Sequence, residues 1–258
     1  MGAPHPRTKA QYATARDRLL TRIVEDLSTD HSFSAGWLVG SLGRGAGDAF
    51  SDLDLVLAVE EPLANQICAR PLRVAAGAPD IRRALFSRFG EPLNIHENHN
   101  NAPHGGTFSS VLYANPPVIV DWVLAPRSIA LRPAGTRLLF DRAGIPKGIM
   151  PPANYTHEPG PPLSGPLWQA ERLAFFWMMA MVAAKYILRG HAARTQVDWV
   201  LPFMADEISG LVQVERAALG ESGGPAGRLR YLCGLVEARF PEASGPYSAV
   251  KALLALDQ

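Results

Sequence analysis

Two aspartates interrupt an apolar run that is otherwise typical of a buried β-strand, in residues 37–59, WLVGSLGRGAGDAFSDLDLVLAV. Side chains two positions apart on a strand point the same way, so Asp52 and Asp54 share one face while the leucines beside them fill the other. Neighbouring carboxylates repel each other and are costly to bury. A positive partner is therefore expected, and Mg²⁺, which prefers hard oxygen ligands, fits.

A third carboxylate stands in a second apolar strand, PVIVDWVL. Asp121 is the only charged residue between Tyr113 and Arg127, and by alternation it shares its face with Ile119 and Val123. An aspartate without a partner in such a strand would be expensive to desolvate. We therefore expect a metal ion or another cation beside it.

The turn before the aspartates has the composition of a phosphate-binding segment. Gly40-Ser41 ends the first apolar stretch, and eleven positions separate Ser41 from Asp52. A glycine-rich turn entering a short helix offers backbone N–H groups to an anion, and Arg44 adds a charge-assisted contact. Phosphate ligands on one side and metal-binding carboxylates on the other predict a nucleotide–magnesium site.

The chain is predicted to have two halves. Residues 1–147 alternate between strand-like and helix-like segments, a proline-rich linker covers 148–166, and 167–258 are helical in pattern. The sequence predicts a helix over Thr8–Leu27, a strand over Asp52–Val59, broken helix over Ala64–Phe89, a loop over 94–106 and two strands within 107–126. The helices expected in the second half are Leu167–Arg189, Thr195–Ser209, Leu211–Leu219, Gly227–Arg239 and Ser248–Leu256.

Composition excludes several classes of protein. The 258 residues are 47% apolar and 19% charged, with a net charge of +1, which favours a globular protein and disfavours nucleic-acid and membrane partners. The two cysteines lie far apart, which favours neither disulfides nor zinc and agrees with a cytoplasmic location. The most apolar segment, Leu173–Ala184, is shorter than a membrane span and is expected to be a core helix.

Taken together, these residues resemble the nucleotidyltransferase superfamily that includes DNA polymerase β. Its pattern is Gly-Ser, about ten residues, Asp-x-Asp and a later single Asp, matched here by Gly40-Ser41, Asp52-Leu53-Asp54 and Asp121. GSLGRGAGDAFSDLDL is similar to the small-molecule branch that contains the aminoglycoside and lincosamide nucleotidyltransferases. The later helix FFWMMAMVAAKYILRG is similar to the same branch.

The resemblance implies an α/β (α+β) fold, with a mixed sheet followed by an all-helical C-terminal domain. It also implies transfer of a nucleoside monophosphate from a nucleoside triphosphate, with ATP the expected donor, to a hydroxyl of a small molecule, releasing pyrophosphate. Two Mg²⁺ ions held by Asp52, Asp54 and Asp121 would orient the triphosphate and stabilise charge on the attacking and leaving oxygens.

The base that removes the acceptor's proton has three candidates. Asp121 qualifies if it lies beside the attacking oxygen, and Glu97 lies in a predicted polar loop just before the strand pair that carries Asp121. Glu171 is the third candidate, on the long helix of the second half. Lys185, at the end of an apolar run on that helix, is expected to contact phosphate because a buried lysine needs a partner.

Several acceptors are compatible with this pattern. An aminoglycoside-like antibiotic is the first expectation, while a metabolite, a protein side chain and a catalytically inactive nucleotide-binding module remain alternatives. Nucleotide addition to RNA is disfavoured by the near-neutral charge and the lack of basic stripes. The sequence specifies neither the acceptor, the nucleobase nor the oligomeric state.

Overall fold

The computed structural model describes residues 6–68, 81–97, 101–152 and 164–256. The chain divides into two compact units, Thr8–Gly160 and a second unit made of Pro161–Gln258 with the N-terminal segment Met1–Arg7. The first unit is mixed α/β and the second is helical.

The first unit is built around a six-stranded mixed sheet. Its strand order is β3-β4-β5-β2-β1-β6, in which β2 and β5 are parallel and the other described pairs are antiparallel. The elements are α1 Lys9–Thr29, β1 Phe33–Leu38, α2 Gly40–Gly43, β2 Leu53–Val59, α3 Ala64–Ile67, α4 Ile81–Ser87, β3 Pro92–Glu97, β4 Thr107–Tyr113, β5 Ile119–Pro126 and β6 Arg137–Asp141.

One face of the sheet packs against helices. The leucines of β2 that alternate with Asp54 are at most 1% exposed, and Trp122 of β5 lies on the same face. Phe86 of α4 contacts Trp122 with the two rings tilted by 36° and their centroids 5.4 Å apart. Helix α1 packs against β1, and Thr8 caps it by accepting a hydrogen bond from the backbone N–H of Gln11. These contacts make a continuous core on this side.

The other face carries the aspartates and is partly covered by the chain that follows β5. Trp37 and Val56 form a buried cluster there with residues from that segment, including Ala130 and Ile145. By register, Val56 and Val123 are paired neighbours, two positions beyond Asp54 and its neighbour on β5. The apolar cluster that covers this face therefore begins two residues after the aspartates on β2 and β5.

The second unit consists of helices arranged around one long apolar helix. These are α5 Gly165–Arg189, α6 Arg194–Ile208, α7 Arg216–Glu221, α8 Gly224–Arg239 and α9 Gly245–Leu254. Helix α5 packs against α6, α8 and α9. The helical stretch Gly165–Ile208 is long and apolar enough to cross a membrane by length and composition alone, a test that core helices also pass.

Several sequence expectations are confirmed. The first helix, the strand after Asp52 and the two strands within 107–126 lie where expected, and the second half is helical. The segment 64–89 contains short helices, as predicted, although residues 69–80 lie outside the described residues. The helix expected over Leu211–Leu219 begins only at Arg216 and continues to Glu221.

Three expectations were wrong or incomplete. Residues 94–97 of the loop predicted over 94–106 are the second part of β3, an edge strand whose half-buried polar residues hide its alternation, whereas residues 102–106 belong to no helix or strand. Strand β6 was not predicted. The first unit also extends beyond residue 147, because the Gly148 N–H donates to the carbonyl of Arg132, at 3.0 Å, and the His104 N–H donates to the carbonyl of Pro151, at 2.9 Å.

Candidate active site

The second and third aspartates of the motif are neighbours in the sheet. Asp54 on β2 pairs with Asp121 on the parallel strand β5. Adjacent strands are about 4.8 Å apart, and paired residues point to the same face. Residues 67 positions apart in sequence therefore place two half-buried carboxylates side by side.

This pair is part of a longer row of polar side chains that crosses four strands. Asp121 pairs with Ser110 on β4, and Ser110 pairs with His96 on β3. The Ser110 hydroxyl donates to Oδ1 of Asp121 at 2.6 Å, which fixes the orientation of that carboxylate. We call Asp54, Asp121, Ser110 and His96 the polar row. Sequence reasoning missed its last two members, because only the strand register brings them there.

The first aspartate of the motif lies just outside β2. Asp52 is half-buried and precedes the strand by one residue. Asp52 is two positions before Asp54, the spacing that the alternation of a strand assigns to one face. The segment just before it, residues 48–51, contacts the first helix through Arg16.

The Gly40-Ser41 turn lies against Asp54. Gly40 has a φ of +61°, and a Cβ placed there would be 1.9 Å from Oδ2 of Asp54. The backbone N–H of Val39 donates to the carbonyl of Asp54 at 2.9 Å. Only glycine fits both the backbone angle and the space, so the predicted phosphate turn and the predicted metal ligand are in direct contact.

Ser41 belongs to a short hydrogen-bonded chain. Its hydroxyl donates to Oγ of Ser51 at 3.0 Å, and Ser51 donates to Oδ1 of Asp48 at 2.9 Å. This chain fastens the start of the glycine-rich turn to the segment just before Asp52. The motif's two parts are therefore linked through side chains as well as through the sheet.

A buried arginine of the first helix binds the segment of residues 48–51 that precedes Asp52. Arg16 of α1 is 4% exposed, and its Nη1 donates to the carbonyls of Asp48, Ala49 and Ser51 at 2.8, 3.3 and 3.2 Å. Sequence analysis missed this role. The signal was available, since Arg16 falls on the apolar stripe of the helix, four positions after the buried Tyr12.

Glu97 does not lie with the aspartates, contrary to the expectation of a base in a loop. It is the last residue of β3 and pairs with Ser109, which in turn pairs with Trp122 on the helix-covered face. Its Oε1 is 2.6 Å from Nη1 of Arg82, and both side chains are largely buried. By register Glu97 therefore lies on the face opposite Asp54 and Asp121, and its role as the base stays a prediction.

The remaining predicted residues lie in different surroundings. Arg44 follows α2 and is exposed, next to the Gly40-Ser41 turn. Lys185 and Glu171 belong to α5 of the second unit, where Lys185 is 2% exposed and Glu171 is exposed. Their contacts with a nucleotide or an acceptor stay predictions.

The aspartate carboxylates supply only part of the ligand shell of a magnesium ion, and substrate phosphates and water would complete it. Among residues 6–68, 81–97, 101–152 and 164–256, no three histidine, cysteine, aspartate or glutamate side chains are placed to hold a metal. Mg²⁺ is commonly bound by one or two carboxylates, with water and substrate phosphates completing the shell. The pair of Asp54 and Asp121 supplies that number of carboxylates, and Asp52 precedes Asp54 by two positions.

Comparison with known proteins adds no assignment. No protein-family model matches the chain, and no curated protein matches its sequence. The function must therefore be inferred from the residues of the site.

Proposed function

We propose that this protein is a nucleotidyltransferase of the DNA polymerase β-like superfamily. It transfers a nucleoside monophosphate from a nucleoside triphosphate, with ATP the expected donor, to a hydroxyl of a small molecule and releases pyrophosphate. The observation that carries the proposal is that two other segments of the chain meet at Asp54. Gly40 packs on its carboxylate and Asp121 is its neighbour in register, while Asp52 precedes it by two residues.

The metal ligands in this proposal are Asp52, Asp54 and Asp121. Bound Mg²⁺ would supply charge stabilisation for a triphosphate and for the oxygens that attack and leave. Ser110 holds Asp121 through its 2.6 Å hydrogen bond, so that carboxylate is already oriented before a ligand arrives. Preorganised groups of this kind lower the reorganisation needed during reaction.

The triphosphate is assigned to the Gly40-Ser41 side of the site. Gly40 lets the backbone approach the carboxylate closely, and Arg44 beside the turn can neutralise phosphate charge. To bind phosphate, the Ser41 hydroxyl exchanges its hydrogen bond to Ser51 for one to a phosphate oxygen. The link from Arg16 through residues 48–51 keeps the turn in place during that exchange.

Asp121 is the proton acceptor that the geometry favours. Glu97 lies on the opposite face, whereas Asp121 is next to Asp54 and on the side away from Gly40. An acceptor hydroxyl lying over Asp121 can pass its proton to that carboxylate. Ser110 and His96 continue the polar row and provide hydrogen-bonding partners for the rest of the acceptor.

Pyrophosphate release tests the proposal. The protein is incubated with Mg²⁺, each of the four ribonucleoside triphosphates and a panel of hydroxyl-bearing compounds that includes aminoglycosides, lincosamides and metabolites. Acceptor-dependent release should fall at least about 100-fold in Asp54→Asn, because a ligand for the transition-state charge is lost. Glu97→Gln is the matched carboxylate-to-amide control on the opposite face and should retain release.

Two results would argue against an enzyme of this kind. Release that is unchanged in Asp54→Asn would remove the aspartates from the chemistry. Tight Mg²⁺-dependent nucleotide binding without release, for any acceptor in the panel, would favour a nucleotide-binding module.

A further inference from the structure

A small cavity lies on the aspartate face of the sheet, next to the polar row. Its volume is ≈ 210 Å³, and its floor includes Trp37, Val56 and Val123. Ile149 and Met150 contribute to its wall, the other lining residues being valine, alanine, proline and one asparagine. None of the described residues that line it carries a charge.

The cavity is one step along the strands from the carboxylates. Val56 and Val123 follow Asp54 and Asp121 by two positions on β2 and β5, and the pairs are in register. Two residues of strand span about 7 Å, so an apolar group in the cavity can be joined to an atom over the aspartates by only a few bonds. The cavity and the polar row can thus hold two parts of one molecule.

The direction of the cavity matches the direction from which an acceptor must come. The Gly40-Ser41 turn packs against the beginning of β2, near Asp54 and Ser51, whereas the cavity starts at Val39, the residue before Gly40, and extends along the strands to Val56 and Val123. In phosphoryl transfer the attacking and leaving oxygens are roughly in line across phosphorus. If pyrophosphate leaves on the glycine side, the attacking hydroxyl approaches from the cavity side.

We infer that the acceptor is a hydroxyl compound with an apolar group about the size of an aromatic ring, which occupies this cavity while the hydroxyl lies over Asp121. This inference rests on the proposed function. A cavity of about 150 Å³ with apolar walls holds benzene, so the observed volume admits a ring with a small substituent. The acceptor is therefore partly apolar.

The same chemistry disfavours the aminoglycoside-like acceptor first expected from the sequence. Such compounds are polycations, and an ammonium group loses its hydration in an apolar cavity without gaining a counter-charge. A polycation would require carboxylates where this protein has Val56, Val123 and Ile149. The cavity selects against charge in the part of the acceptor that occupies it.

Occupation of the cavity can be measured with benzyl alcohol as a probe. The protein is labelled with ¹³C at its methionine methyl groups, and the Met150 resonance, assigned with Met150→Leu, is followed during titration. A saturable shift of that resonance is expected, both alone and with saturating Mg²⁺ and the non-hydrolysable α,β-methylene analogue of ATP. Its absence would overturn the inference.

Two isoleucine-to-aspartate variants provide the control. Ile149 lines the cavity and is 79% exposed, so Ile149→Asp adds a charge there without disturbing the core. Ile81 is 37% exposed on α4, whose Phe86 packs on the other face. Ile149→Asp should raise the apparent Kd for benzyl alcohol about tenfold, because a hydrated carboxylate replaces an apolar side chain in the cavity wall. Ile81→Asp should leave that Kd unchanged. Equal effects would overturn the inference.

Other outcomes separate this inference from the proposed function. Mutual exclusion between benzyl alcohol and the ATP analogue would show that the cavity holds part of the nucleotide, which overturns the acceptor assignment alone. Pyrophosphate release with aminoglycosides as the preferred acceptors would overturn the inference and leave the proposed function standing. Benzyl alcohol binding without any Mg²⁺-dependent nucleotide binding would refute the proposed function, and the acceptor assignment with it.

Discussion

Gly40→Ala is the substitution that most sharply tests how the site is built. The backbone at Gly40 has a φ of +61°, which an L-residue adopts at a cost of roughly 1–2 kcal/mol. The new methyl group would also lie 1.9 Å from Oδ2 of Asp54. For an ordinary contact of 3.4 Å the carboxylate oxygen has to retreat by about 1.5 Å, which displaces a proposed metal ligand.

Gly45→Ala separates the two effects. Gly45 has a φ of +71°, yet a Cβ there would meet nothing within 4 Å. Gly45→Ala should therefore lose about 1–2 kcal/mol of folding free energy, which lowers the melting temperature by about 2–8 °C, and Gly40→Ala should lose at least as much because the Asp54 carboxylate must also move. Only Gly40→Ala should weaken Mg²⁺-dependent ATP binding, by about 10–100-fold, because only there is a metal ligand displaced.

The measurements are thermal unfolding by circular dichroism and isothermal titration of ATP with and without Mg²⁺. Equal loss of Mg²⁺-dependent binding in both variants would mean that backbone strain in the turn matters and contact with Asp54 does not. Wild-type binding by Gly40→Ala would refute the role given to this contact.

Three further substitutions or conditions have defined outcomes. Glu97→Gln should retain pyrophosphate release but lose about 3–5 kcal/mol in urea unfolding, since Arg82 keeps a buried charge without its partner; loss of release at full stability would restore Glu97 as the base. Arg16→Met should lose about 1.5–3 kcal/mol and speed hydrogen exchange in residues 48–51, and unchanged exchange would remove its anchoring role. Burial, with the nearby Glu61 carboxylate, raises the pKa of Cys68 from 9.0 to about 12, so folded protein at pH 8 should not react with a thiol reagent. Because the unfolded thiol ionises first, this residue's contribution to stability should be lost from pH 9 upward, and pH-independent stability there would contradict the burial effect.

The local parts of the site could be predicted from the sequence because their signals are local. Asp52 and Asp54 interrupt an apolar strand, and alternation alone assigns them a common face. The Gly40-Ser41 turn can be recognised from the glycine-rich composition of a few consecutive residues. For Asp121 the sequence indicated a charged position in an apolar strand, but its place beside Asp54 depends on the parallel pairing of β2 and β5.

The parts that sequence reasoning missed depend on contacts between distant segments. Glu97 and His96 are adjacent in sequence and lie on opposite faces, so an error of one residue in register exchanges their roles. The polar composition around these two residues predicted a loop, because an edge strand with polar residues lacks a clear alternation of apolar and polar side chains. Ser110 becomes part of the site only through its pairing with Asp121, which no local pattern specifies.

Binding of Mn²⁺ in the presence of ATP reports on the proposed metal ligands themselves, because Mn²⁺ accepts the same hard oxygen ligands as Mg²⁺ and is visible by electron paramagnetic resonance. Wild type and Glu97→Gln should bind Mn²⁺ with ATP equally well. Asp54→Asn and Asp121→Asn should lose at least about tenfold in affinity while remaining folded. Equal Mn²⁺ binding by all four proteins would refute the assignment of these aspartates as metal ligands.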